Sequence, residues 1–132
     1  VFLGFHHRWV ESFTRKGRYY LARWPSDRSV RRAKDRIRSH TARRWLMLPV
    51  KDIVENLNGF LTGWRGYFRH GNSTTVFHDL DQFVVERLAW FISNKHGHHG
   101  RRYGLRVLID HEGLGLVRLV GSIRHGTAHA SR

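Results

Sequence analysis

Arginine is the residue whose type and spacing carry the most chemistry in this chain. Arg28, Arg32, Arg36 and Arg43 recur close to helical spacing, with Arg31 and Arg38 beside them. A guanidinium presents five donors in a planar fork that matches phosphate oxygens, so such a row reads as a surface that tracks a phosphate backbone. A solvated helix face ordinarily interleaves glutamate at i, i+4 to offset repulsion, whereas here only Asp27 and Asp35 do so. Gly63 and Gly66, with Arg65 and Arg69 nearby, form a second candidate, because a surface without side chains lets another backbone approach closely. Lys95, Arg101 and Arg102 extend the cationic set towards the C-terminus.

Histidine is the other residue type with chemical potential. His6-His7 and the group His96, His98 and His99 could ligate zinc, and Asp110-His111-Glu112 has the makings of a metal-dependent nuclease hairpin. The group around His96 lies among glycines with no second ligand pair at metal spacing. Solvated or phosphate-facing histidines are the simpler reading, so no metal site, catalytic residue or cofactor is expected.

The charge balance points the same way. Over 132 residues, 24 Lys plus Arg face 10 Asp plus Glu, a net charge of +14 with 11 histidines in reserve. That much charge on a single small domain repels itself unless a polyanion supplies counter-charge, and nucleic acid is the commonest such partner. Cysteine is absent, which removes disulfide frameworks and thiolate metal sites. No apolar run approaches the roughly 18 residues of a spanning helix, and no secretory leader is visible, so neither membrane insertion nor secretion is expected. A chain that starts at Val1 is expected to be a piece of a longer protein, cytoplasmic in the bacterial manner or organellar.

The elements that must position these residues follow from periodicity. VFLGFHHRWV (1–10) and RYYLARW (18–24) are rich in aromatic and β-branched residues and read as a hairpin around Gly17. Pro25 ends it, and Ser26 or Asp27 caps a helix expected over 27–44, with Val30, Ala33, Ile37 and Thr41 as its apolar stripe. A short helix after Pro49 is expected to break near Asn58 and Gly59 into a second helical stretch, LNGFLTGWRGYFRHG (57–71). There Leu61, Trp64 and Phe68 share one face, and Gly59, Gly63 and Gly66 share another. Each interior glycine costs roughly 1 kcal/mol against alanine, so the glycine side needs a close neighbour, either a helix or a nucleic-acid strand. Gly71 and Asn72–Thr75 stop one helix and cap the next, a central core helix over about 75–96 with Phe77, Leu80, Val84, Leu88 and Phe91 as its spine, widened by Trp90 among others. A basic linker (96–104), strands LRVLID (105–110) and LGLVRLVGSI (114–123) and a loose tail (125–132) complete the expectation. The fold class is therefore mainly α, a bundle of three to four helices with an N-terminal β-hairpin and a small C-terminal β-hairpin. Tyr67 and Tyr103 are expected to keep a polar end near solvent.

The chain resembles the C-terminal part of group II intron reverse transcriptases, namely the end of the palm followed by the thumb, or maturase (X), domain. The matching residues are FLGF at Phe2–Phe5, Pro25-Ser26 ahead of a basic helix, and Asn58, Gly63, Trp64, Tyr67 and Phe68 in the pattern N-x-x-x-x-G-W-x-x-Y-F. Phe77, Leu80, Asp81, Arg87, Leu88 and Trp90 fit the helix that follows, and the resemblance covers residues 1 to about 97. Two features depart from it. Gly59 stands where the family usually has proline, and the Y-A-D-D motif that holds polymerase metals is absent.

The resemblance implies that residues 1–25 end a palm and 26–97 form the thumb; residues 98–132, beyond it, are expected to be a basic linker, a small β-hairpin and a loose tail. It also implies an RNA-binding role without polymerisation by this stretch alone, the parent being an RNA-directed DNA polymerase. The implied partners are intron RNA, the template-primer duplex and the upstream fingers and palm. Two other readings stand beside it: a nuclease-like appendage, and a basic domain that docks an acidic protein.

Overall fold

The computed structural model describes residues 4–11, 16–69 and 73–120. Phe2 and Leu3 of the FLGF motif, the Gly71 stop, Asn72, the end of the second expected C-terminal strand and the tail lie outside the described residues. Two antiparallel strands, β1 (Phe5–Glu11) and β2 (Tyr19–Pro25), pair in register from Phe5 opposite Pro25 to Glu11 opposite Tyr19. Four helices follow: α1 (Asp27–His40), α2 (Val50–Phe68), α3 (Thr74–Lys95) and α4 (Arg102–Asp110). The chain is thus mainly helical with an N-terminal hairpin.

The hairpin docks on helix ends. Ser26 caps α1, its Oγ accepting from the Ser29 N–H at 3.1 Å, while Ser26 N–H and Ser29 Oγ donate to the Gly4 carbonyl at 2.8 and 3.1 Å. Gly4 has φ of +83°, a conformation natural only to glycine, and that turn drops Phe5 onto Phe68 with ring centroids 4.9 Å apart. The far end of the hairpin stays in solvent, with Trp9 and Tyr19 both more than half exposed.

α3 lies at the centre and packs against both α1 and α4. Phe77, Leu80, Val84, Leu88, Phe91 and Ile92 are all buried, along with Ile37 of α1 and Ile53, Leu57 and Leu61 of α2. Trp90, expected to widen that spine, is instead 45% exposed and lines a cleft with Thr41 and Arg43 at the end of α1. Helix ends are satisfied by long cations. Arg87 Nε donates to Thr41 Oγ1 at 3.0 Å and its Nη2 reaches the Arg38 carbonyl at 3.4 Å. Lys95 Nζ donates to the Leu46 and Leu48 carbonyls at 2.6 and 2.8 Å, holding the 3-10 turn over Arg43–Trp45. Both place positive charge where a helix or turn leaves carbonyls unpaired.

Three boundaries differ from the sequence expectation. α1 ends at His40, four residues early, because the backbone turns extended at Ala42, with φ −70° and ψ 154°, while Thr41 closes the last turn through its Oγ1 on the Ile37 carbonyl at 2.9 Å. α2 runs unbroken through Asn58 and Gly59. Asn58 therefore caps nothing at the N-terminus of a helix; its Nδ2 donates to the Gly115 carbonyl at 3.0 Å and its Oδ1 accepts from Val117 N–H at 2.8 Å. The expected C-terminal hairpin is not formed: residues 102–110 are α4, and 116–119 run on without a strand partner among the described residues.

LRVLID is a short apolar run whose period does not separate strand from helix. Packing on α3 decides, since Gly104 and Leu108 at i, i+4 are the buried residues of α4. After α4 the backbone turns left-handed over Glu112, Gly113, Leu114 and Gly115, with φ of 54°, 74°, 55° and 81°. For the two residues with side chains, that conformation costs roughly 1–2 kcal/mol each. Asn58 offsets it from one side. From the other, the buried Asp81 carboxylate accepts from the Leu119 and Val120 N–H groups at 2.8 and 3.0 Å.

Candidate nucleic-acid interface

α1 is held by its flanks and leaves one face free. On one flank the Arg36 guanidinium lies 5.3 Å from the Phe60 ring of α2; on the other, Arg38 and Lys34 lie 5.1 and 5.4 Å from the Phe83 ring of α3. Arg38 also pairs with Asp35 at 2.9 Å. Between the flanks Arg28, Arg31 and Arg32 are exposed, and among the described residues no carboxylate pairs with any of them or with Arg36. Uncompensated guanidinium groups on one ridge are the geometry that phosphates neutralise.

The glycine side of α2 is open. A Cβ at Gly59, Gly63 or Gly66 would have nothing within 4 Å among the described residues beyond its own turn of helix, so these glycines do not seat α3 or any other described element. Asp52 and Glu55 are exposed earlier on α2, which leaves the stretch from Gly63 to Gly66 as the part suited to an anion. Phe60 borders this surface and carries Arg36, so the cationic ridge of α1 adjoins it. Arg65 does not: it lies seven residues from Asn58, on the flank that holds segment 115–117. Arg69 ends α2, and its Nε is buried without a hydrogen-bond partner among the described residues.

The core motif divides as its spacing suggests. Trp64 and Phe68 meet at 4.4 Å with their rings tilted by 36° and Trp64 meets Phe77 at 5.6 Å, while Tyr67 is 53% exposed beside the glycines. Tyr103 is half-buried under His98, with the rings parallel at 4.0 Å.

The other sequence candidates are dispersed. Arg101 pairs with Glu86 at 2.8 Å and Arg102 is exposed at the start of α4. Lys95 is engaged at the two carbonyls already described. Arg43 sits by contrast in the wall of a cleft with Arg87, Trp90 and Asn94. Sequence reading missed Arg87 as a candidate; a lone arginine beside the buried Leu88 on the central helix was the available signal. His96, His98 and His99 are exposed, and among the described residues no group of three His, Cys, Asp or Glu could hold a metal ion. None of the described helices is long and apolar enough to cross a membrane.

His40, at the end of α1, gives the domain a pH response. Burial, and then the Arg36 cation, lower its pKa below the ordinary 6.5. The folded state holds this imidazole neutral while the unfolded chain takes up a proton below about pH 6.5, so its contribution to stability is complete above that value and is lost as pH falls. We expect urea midpoints to drop from pH 7 to pH 5.5, and His40→Gln to drop less; parallel curves for the two proteins would exclude His40 as the source.

More than half of the chain, residues 30–107, matches the family described as group II intron, maturase-specific domain. The matched region contains Arg31, Arg32 and Arg36 of the ridge, the open glycines, the Trp64 motif and α3. No curated protein matches the chain. The match describes a maturase-specific domain and not a polymerase catalytic motif. With its helical core, its Asn58-to-Phe68 motif and this match, the chain belongs to the group II intron maturase-specific domain family.

Proposed function

We propose that this chain is the RNA-binding thumb, or X, region of a group II intron reverse transcriptase, gripping template-primer duplex and intron RNA to support splicing and reverse transcription. Residues 1–25 then end a palm whose fingers and active site lie upstream, and polymerisation belongs to that part of the parent. The observation that carries the reading is the ridge of Arg28, Arg31 and Arg32, outward on one face of α1 without carboxylate partners. The open glycines beside it supply room for a sugar-phosphate strand to come close to helix backbone.

Binding to a structured intron RNA is expected to weaken steeply with salt, with a log-log slope on the order of 6 to 10 if that many phosphates are engaged. Replacing Arg28, Arg31 and Arg32 together by glutamine should leave thermal unfolding unchanged and reduce that slope by about 3. Arg36 is left in place because its guanidinium packs over Phe60. Undetectable RNA binding, a slope unaltered in the triple variant, or preference for an acidic protein at matched ionic strength would overturn the reading.

A further inference from the structure

The cleft where the end of α1 meets α3 has no role in the reading above. It encloses about 280 Å³, just below the roughly 300–1,000 Å³ of typical small-molecule pockets. Its lining is Thr41, Arg43, Leu46, Arg87, Trp90, Phe91 and Asn94. Three properties separate it from an ordinary surface dimple.

First, Trp90 is 45% exposed at its rim. A tryptophan so placed keeps a large flat ring in contact with water, with much of its area left to bury. Second, the cleft has no acid in its lining, and neither Arg43 nor Arg87 pairs with a carboxylate among the described residues. Burial, and then the neighbouring Arg38 cation, draw the Arg87 pKa downward. Third, the Asn94 side-chain amide makes no hydrogen bond within the described residues, so both its donor and its acceptor are available. Trp90 and Asn94, at i and i+4 on α3, line the cleft together with Arg43, while Arg87 is held by the Thr41 and Arg38 oxygens, so an aromatic plate, an amide and a cation share one opening.

A nucleotide presents the complementary series: a phosphate, a flat base and a base edge with its own donors and acceptors. We propose that this cleft receives an unpaired RNA base, with Trp90 stacking on its face, Asn94 reading its edge and Arg43 meeting its phosphate. Bases splayed out of loops and bulges are the form in which RNA offers all three groups at once. An acidic protein segment would satisfy the cations but leave the tryptophan face and the amide unmatched, so charge and shape together favour a nucleotide. The inference rests on the RNA-binding reading and adds to it a site that prefers single-stranded features over duplex.

The test compares two RNA hairpins, one fully paired and one with a single-nucleotide bulge carrying the fluorescent base 2-aminopurine. The full chain is expected to bind the bulged hairpin more tightly and to quench its fluorescence. Trp90→Leu should weaken the bulged complex about tenfold, the scale of losing one base–aromatic stack, and leave the paired complex unchanged. Trp90→Phe should restore most of that loss. Asn94→Ala, on an accessible position of α3, should alter the preference among the four bulged bases without changing the melting temperature. Equal affinity of Trp90→Leu and the parent for the bulged RNA, or equal loss on both RNAs, would overturn the base site. Displacement of the bulged RNA by polyglutamate as readily as by RNA would assign the cleft to a protein. Failure of the RNA-binding reading looks different, since the parent would then bind neither hairpin. If instead both RNAs bind, both weaken in the Arg28, Arg31 and Arg32 variant and neither responds to Trp90, the base site alone is lost.

Discussion

Gly104→Ala is expected to destabilise the domain by about 1–3 kcal/mol or more, the range for forcing extra volume into a packed interior. The same substitution at Gly63 or Gly66 is expected to stabilise it, by up to about 1 kcal/mol each, the helix propensity that glycine forgoes. The opposite signs follow from what each missing Cβ would meet. At Gly104 it would collide with the Ala89 carbonyl and lie 2.6 Å from the Ala89 Cα, and backbone cannot rotate aside as a side chain can. α4 sits this close to α3 because Gly104 N–H donates to the buried Ser93 Oγ at 2.9 Å, a contact that needs the helices nearly touching. At Gly63 and Gly66 the added methyl meets nothing within 4 Å among the described residues beyond its own turn of helix. Urea denaturation of the three single variants decides the matter. A neutral Gly104→Ala would mean that α4 is not seated on Ala89, and destabilisation at Gly63 would mean that something covers the open side. If that side meets RNA, Gly63→Ala and Gly66→Ala will be more stable proteins that bind RNA less well.

Phe77→Ala is expected to cost about 3–5 kcal/mol, as for other fully buried aromatics. Phe77 is 0% exposed at the junction of α2 and α3, and it supports the Trp64 ring at 5.6 Å. Set against a total of roughly 5–15 kcal/mol for an ordinary domain, such a loss leaves little or no cooperative transition. Trp64→Ala should cost less than Phe77→Ala. Trp64 names the family motif, but it is only half-buried, so part of its ring gives up no burial on truncation and water can fill part of the space left. Thermal melts followed by circular dichroism should rank the variants in that order; the reverse order would place Trp64, and not Phe77, at the centre of the core.

Much of this was legible in the chain itself. α1 and α3 show sustained apolar spacing with polar residues between, and such periodicity survives whatever packs against it. The aromatic β-hairpin was legible for the same reason, since cross-strand pairing follows from alternation and a central turn. The cationic ridge could be placed once α1 was recognised, because helix geometry alone puts Arg28, Arg31 and Arg32 together. The break expected at Asn58 and Gly59 is absent: an asparagine before a glycine suits a helix boundary, but the Asn58 side chain is engaged 57 and 59 residues away in sequence, at Gly115 and Val117. α4 was misread as a strand because a short apolar run carries no period of its own.

The sequence by itself determined that this protein is a basic, mainly helical member of its family with phosphate-suited arginines on one helix. Those properties depend on local spacing and total charge. Only the tertiary structure decided which glycine is a seam and which are open. The sequence singles out Gly59, Gly63 and Gly66, yet it is Gly104 that lets two helices meet, because a glycine's role depends on which distant backbone lies across from it. The same holds for Trp90. Its spacing on α3 suits a core residue, and only the short reach of α1 leaves it at the mouth of a cationic cleft.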